Sequence, residues 1–225
     1  MNSKLVTKTI LSPNHSGKRC HKITRITPHC MVGQLSATEC GRLFANAHYE
    51  ASSNYGIGTD GTIALYVDED NRSWCSSSAD NDNRAITIEC ASDTKHPYAM
   101  NQKVWNSLVD LCVDICHRYG KTKTIWFNDK ATTLAYVPKD NEMIFTVHRW
   151  FAAKACPGDW LYKRMGKLSE EVNKKLSQTT FWPEKEVERP KTGVVYDTEE
   201  DRERAIWHFF KVNSDFNDFG IAGLM

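Results

Sequence analysis

The sequence predicts an α/β fold with a central mixed β-sheet flanked by helices. Three observations carry this. "RAITIEC" (84–90) alternates, with Ile86 and Ile88 on one face and Thr87 and Glu89 on the other, which is the period of a strand. "NQKVWNSLVDLCVDICHRYG" (101–120) repeats Val104, Trp105, Leu108, Leu111, Cys112 and Ile115 at helical spacing. Strand-like and helix-like segments alternate along the chain, as they do when helices pack on a sheet.

The elements follow in order. "KITRITPHCMV" reads as a strand through Ile23 and Ile26 that ends near Pro28 and His29. "LSATECGRLFANAHYEASS" reads as a helix capped by Ser36 or Thr38, with Leu43, Phe44 and Ala47 on one face. "NYGIGTDGTIALYV" reads as a hairpin turning at Asp60-Gly61, with a second strand from Thr62 to Val67. The long helix is closed by Gly120. "TIWFN" and "MIFTVHRW" read as further strands, and "DWLYKRMGKLSEEVNKKLSQ" as a final amphipathic helix. After Gln178 two prolines and many charges mark a linker, and "RAIWHFF" then places Ala205, Ile206, Phe209 and Phe210 on a helical stripe.

Composition narrows the function. The chain has 225 residues, suited to one domain plus an appendage, and a formal net charge of +1. No basic stripe interleaved with aromatics is present, which argues against nucleic acid. No apolar run reaches the ~18 residues of a membrane span, so membrane insertion is not expected. The N-terminus lacks the apolar core of a secretory signal, so the chain is expected to be made in the cytoplasm and released by other means. With no oxidising compartment indicated, the eight cysteines read as thiols. Cys112 and Cys116 read as small core residues one helical turn apart. Cys20, Cys40 and Cys75 carry no signal, and His15, His21, His48, His96, His117 and His208 read as surface or core histidines.

"TVHRWFAAKACPGDW" (146–160) is the informative stretch. His148 and Cys156 admit three readings: metal ligands, a nucleophile with its base, or coincidence. His29 adds a second imidazole at the end of a predicted strand. Cys156 precedes Pro157 in a turn leading into the last helix, near Lys154, a setting expected to favour thiolate. Two imidazoles and a thiolate leave one position open on tetrahedral zinc, the composition of a catalytic site.

"TPHCMVG", "NYGIGTDGTI", "SWCSSSADNDNRAITIEC" and "TVHRWFAAKACPGDWL" occur in the order found in type 2 zinc-dependent N-acetylmuramoyl-L-alanine amidases, which share the peptidoglycan-recognition-protein fold and include many phage endolysins. The chain resembles that family over roughly residues 20 to 178. The resemblance implies a zinc amidase domain over 18–178 that hydrolyses the amide between N-acetylmuramic acid and L-alanine in bacterial peptidoglycan. It implies zinc held by His29, His148 and Cys156, and Glu89 as general base. Tyr55 and Lys154 are implied as donors to the developing oxyanion, the resemblance leaving open whether Glu89 or Tyr55 handles the proton. Trp74 and Asn83 fall where the family shapes its substrate groove. The strand here reads "ITIE" where many members read "IGIE", which bears on the pitch of Glu89.

The lack of a signal leans towards a phage endolysin, made in the host cytoplasm and acting on the cell wall after release. Residues 179–200 are expected to be a linker. Residues 201–225 resemble the start of a phage-tail type lysozyme domain, as though a second domain were cut short. Two rivals remain at this point. One is a cysteine peptidase acting on the peptidoglycan stem with Cys156 as nucleophile and His148 as base. The other is a non-catalytic peptidoglycan-binding module, which typically lacks the cysteine.

Overall fold

Period-two alternation builds the middle of the sheet. The structure is a computed structural model that describes residues 2–178, so the expected linker and second domain lie outside the described residues. Its strands are β1 (Lys8–Thr9), β2 (His15–Lys18), β3 (Arg25–Cys30), β4 (Tyr55–Ile57), β5 (Ile63–Leu65), β6 (Asn71–Ser73), β7 (Ala85–Cys90), β8 (Lys123–Ile125) and β9 (Glu142–Phe145). Its α-helices are α1 (Ala37–Ala45), α2 (Ala79–Arg84), α3 (Gln102–Arg118), α4 (Lys130–Ala135), α5 (Gly158–Tyr162) and α6 (Met165–Gln178). Seven strands form one sheet in the order β1-β5-β4-β7-β3-β9-β8, and β2 pairs with β6 beside it. Only β4 and β5 run antiparallel within the seven, joined by the expected Asp60-Gly61 turn, with Gly61 at a φ of 87°.

Register assigns side chains to faces. Residues opposite one another in a ladder point the same way, and successive residues alternate. β3 pairs with β7 as Thr27↔Thr87, Pro28↔Ile88 and His29↔Glu89, and β4 pairs with β7 as Tyr55↔Ile88 and Gly56↔Glu89. One face therefore carries Ile26, Tyr55, Ile57, Ile86, Ile88 and Phe145. All are buried in one apolar cluster with Leu108, Leu111 and Ile115 of α3 and Leu168 and Val172 of α6. Each fully buried aliphatic of this kind contributes about 1.5–3 kcal/mol. Cys112 and Cys116 are buried in that cluster, as the sequence predicts.

The opposite face carries Thr27, Thr87, His29 and Glu89, and α1 covers only its β4–β5 end. Ser36 caps α1 in a reciprocal box with Glu39. The helix packs through Ala37, Cys40 and Phe44 on Ala64 and Tyr66. Its expected apolar face is corrected here: Leu43 is 43% exposed, and Ala47 lies beyond a break at Asn46 in a separate 3-10 turn. The face set by an N-cap at Ser36 runs 37, 40, 44, which leaves 43 outside. The expected final helix is two helices, α5 and α6. Residues before 18 also belong to the fold, because Thr7, Ile10 and Ser12 donate backbone hydrogen bonds to the carbonyls of Ile63, Leu65 and Tyr66.

Candidate active site

The site lies at the carboxyl ends of β3, β7 and β9. His29 and Glu89 are ladder partners on the polar face, with Nδ1 of His29 3.9 Å from Oε1 of Glu89. Gly56 is opposite Glu89 on β4, and a Cβ there would lie 2.2 Å from the hydroxyl of Tyr66, so only glycine fits. β9 runs on through Thr146 to His148, which opens a short 3-10 turn. His148 stands with its ring centroid 5.1 Å from that of His29. Cys156 follows on the next loop, its Sγ 3.3 Å from Nδ1 of His29. Arg149 closes that loop: its N–H donates to the Cys156 carbonyl, and its guanidinium reaches the Ala155 carbonyl and the Asp159 carboxylate.

His29, His148 and Cys156 each present one donor atom, all within 4.8 Å of one another. Nε2 of His29 and Oε2 of Glu89 are buried and have no hydrogen-bond partner among the described residues. Buried polar atoms are normally satisfied. The two unpaired atoms and three convergent metal-type donors therefore fit a bound cation. Burial, reinforced by each cluster's neighbouring positive group, lowers the pKa of both histidines: His148 beside His29, and Lys154 beside His148. Both are thus held neutral, the form that ligates metal. Burial also pushes the Glu89 carboxyl up to about 8. The expectation of an intrinsic thiolate at Cys156 is corrected. A hydrogen bond with Cys30 and burial push the thiol well above its ordinary range. α5 is only five residues long, and the Lys154 side chain is exposed at the groove.

Beneath the donors the face is satisfied throughout. The hydroxyls of Thr27 and Thr146 lie 2.7 Å apart, and Asn81 of α2 bonds both. Thr87 accepts from the N–H of Asn54 and meets the hydroxyl of Ser73. Asp82 accepts from the backbone N–H groups of Cys75 and Ser76 and so fixes the loop between β6 and α2. That loop brings the hydroxyl of Ser77 to 3.0 Å from Nε2 of His148. An open groove of about 380 Å³ lies over it, lined by Glu50, Arg72, Trp74, Ser77, His148 and Lys154.

Not every residue singled out from the sequence reaches this site. His29, His148, Cys156 and Glu89 converge, and Lys154 and Trp74 line the groove. Tyr55 does not: its register with Ile88 puts it on the apolar face. There its hydroxyl donates to Glu69 at 2.7 Å and accepts from the N–H of Ser3, and burial raises the phenol far above neutrality. Asn83 is not a groove residue either, since its side chain bonds the Ala79 carbonyl and the N–H of Cys20. The sequence reading missed Ser77, Asp82 and the whole of α2, although the Ser78 cap ahead of "ADND" is a helix-start signal.

Mixed-sheet architecture with two imidazoles, a thiol and a carboxylate gathered beside an open groove makes a candidate metal centre of the kind a metal-dependent hydrolase uses. The chain belongs to the N-acetylmuramoyl-L-alanine amidase family, whose profile matches residues 19–159. It is an enzyme that hydrolyses the amide bond between N-acetylmuramic acid and L-alanine in peptidoglycan. Its fold is similar to that of PlyL, at 17% identity and a TM-score of 0.53, covering 73% of this chain and 95% of that one. It is also similar to the PlyG catalytic domain, at 18% and 0.53, covering 77% and 96%. A third likeness is to the Staphylococcus aureus hydrolase AmiA in complex with its ligand, at 16% and 0.51, covering 78% and 85%. No curated protein matches the chain.

Proposed function

We propose that His29, His148 and Cys156 hold a zinc ion and that Glu89 moves the proton in the amidase reaction. The observation that carries this reading is the convergence of the three donors on one point beside a buried, unpaired Glu89 oxygen. Bound there, zinc would supply a Lewis acid that polarises the scissile carbonyl and lowers the pKa of water towards neutrality. Glu89 takes the proton of the attacking water on its carboxylate and returns it to the amide nitrogen as L-alanine departs. With a cation bound beside it, the Glu89 carboxyl would have its pKa drawn down from the buried value, towards the range in which a carboxylate both accepts and gives a proton. Ser77 fixes the His148 ring through Nε2, the outer hydrogen bond that orients a ligating imidazole. Lys154 faces the groove, where its ammonium would meet the oxygen that gains negative charge. Trp74, 37% exposed and anchored to Ser16 through Nε1, offers a flat apolar wall to the glycan.

A cysteine-peptidase mechanism is disfavoured by the raised pKa of the Cys156 thiol. A pure binding role is disfavoured by the complete donor set. No helix among the described residues is long and apolar enough to cross a membrane. The proposed setting is the amidase part of a phage endolysin that acts on the cell wall after release from the host. Chelation is expected to abolish the release of new amino termini on L-alanine from cell walls, and zinc to restore it, with no new reducing ends at any stage. Full turnover in protein shown by elemental analysis to be metal-free would overturn the zinc reading.

A further inference from the structure

A second cavity, of about 580 Å³, lies on the same face of the sheet as the catalytic groove, across α2 from it. Register fixes the face. Arg25, Thr27 and His29 alternate along β3, and Arg25 pairs with Ile144 of β9, so Arg25 and Ile144 belong to the polar side. α2 divides the two spaces. Ala79 and Asp82 line the groove, while Asp80 and Arg84, one turn apart, line the second cavity. An α-helix with its side chains is about 10–12 Å across, so the two spaces are neighbours.

The wall of this cavity carries surplus positive charge. Lys22, Arg25 and Arg84 stand against Asp80 and Asp140, with His21 beside them. Asp80 is already shared: its carboxylate is 3.0 Å from Nε of Arg84, 3.4 Å from Nη1 of Arg25 and 4.0 Å from Nε2 of His21. The Arg25 side chain is only 13% exposed, yet it bonds through Nη1 alone, to Asp80 and, at 3.3 Å, to Asn81. Its Nε and Nη2 have no protein partner among the described residues. A largely buried guanidinium so short of acceptors is suited to an anion. Apolar surface adjoins it, where Ile144 is buried and Val137 is 84% exposed. Cations beside apolar surface suit a sugar that bears a carboxylate.

The amidase reaction makes such a sugar. Water adds its oxygen to the lactyl carbonyl carbon as the C–N bond breaks, and both its protons end on the departing amine. A neutral amide thus becomes a carboxylate on muramic acid and an ammonium on the peptide, and each turnover leaves one new negative charge on the glycan strand. We propose that the cavity lined by Lys22, Arg25 and Arg84 binds muramic acid units already stripped of their peptide, through that carboxylate. The inference rests on the amide hydrolysis itself, and not on which ion or proton carrier performs it. A strand held there keeps its uncleaved units near the groove at a high effective concentration.

The test measures, by calorimetry, binding of the full chain to short glycan strands freed of all peptide and to the same strands with their carboxylates methyl-esterified. Wild type should bind the free strands about tenfold or more tighter than the esters, the effect of a charge-assisted hydrogen bond. Lys22→Glu/Arg84→Glu should lose that preference, and Lys22→Glu alone, at an exposed position, should lose part of it. Lys163→Glu/Lys174→Glu makes the same change in net charge at exposed positions outside both cavities, and should keep the preference. Equal affinity of the wild type for free and esterified strands would overturn the proposal. So would an undiminished preference in both Lys22 variants, or an equal loss in the control pair. Failure of the amidase reading shows separately, as intact walls from which the wild type releases no new amino termini.

Discussion

The two faces of the central sheet solve the burial of polar groups in opposite ways. On the apolar face one cluster is sealed: Glu69, fully buried, accepts hydrogen bonds from Tyr55, Tyr119 and Arg118. On the polar face the hydroxyls of Thr27, Thr87 and Thr146 are equally satisfied, but the satisfaction stops one pleat higher, at His29 and Glu89. A buried carboxylate is therefore no indication of chemistry by itself. Glu69 is closed by its partners and serves stability, whereas Glu89 is buried with one carboxylate oxygen left unpaired beside the three donors.

That contrast can be broken most forcefully at Glu89. Glu89→Gln should reduce turnover by about 10²–10⁴-fold while leaving the fold and metal content intact. It should also alter the stability of the metal-free protein. The Glu89 pKa is raised from an ordinary 4.5 to about 8, so the folded chain binds the extra proton between those values. Stability then falls as pH rises through that window. Thermal unfolding of metal-free wild type from about pH 5 to about pH 8.5 should show this loss, and the Gln variant should lack it. Equal slopes would mean that Glu89 is not the titrating group.

Glu69→Ala should do the reverse, costing about 3–5 kcal/mol in denaturant unfolding because Arg118 loses a buried carboxylate. Turnover per folded molecule should be unchanged. Tyr55→Phe is a smaller version, about 1–3 kcal/mol for the lost hydroxyl, again with normal turnover. A Tyr55→Phe enzyme that is stable but slow would return this residue to the chemistry. Leu43→Ser should stay within about 0.5 kcal/mol by the same measurement, since Leu43 belongs to neither cluster.

Much of this was legible in the residues. The parity of "ITIE" separates Ile86 and Ile88 from Glu89 and fixes the faces of β7. The spacing of Val104, Leu108, Leu111 and Ile115 fixes the buried side of α3. Tyr55 was open to the same test: it stands two residues from Ile57 and so shares the apolar face, but the family resemblance implied a role in the chemistry instead. Asn83 and Cys75 depended on α2, a six-residue helix too short for any apolar period to reveal. The raised pKa of Cys156 depended on Cys30, 126 positions away in sequence, a contact that no local pattern encodes. The partnership of Glu69 with Arg118 is likewise a product of tertiary packing.

The family likeness begins at residue 19, but the hydrogen bonds begin earlier. Thr7, Ile10 and Ser12 line the outer side of β5, and the N–H of Ser3 ends on the Tyr55 hydroxyl. A chain trimmed to the start of the likeness would bare the rim of β5 as an unpaired ladder of peptide groups, the kind of edge that recruits another molecule's strand. It would also remove a donor from Tyr55 and a partner from the buried Glu69 backbone. Such a shortened amidase should precipitate on concentration, even though every residue lining the catalytic groove is present.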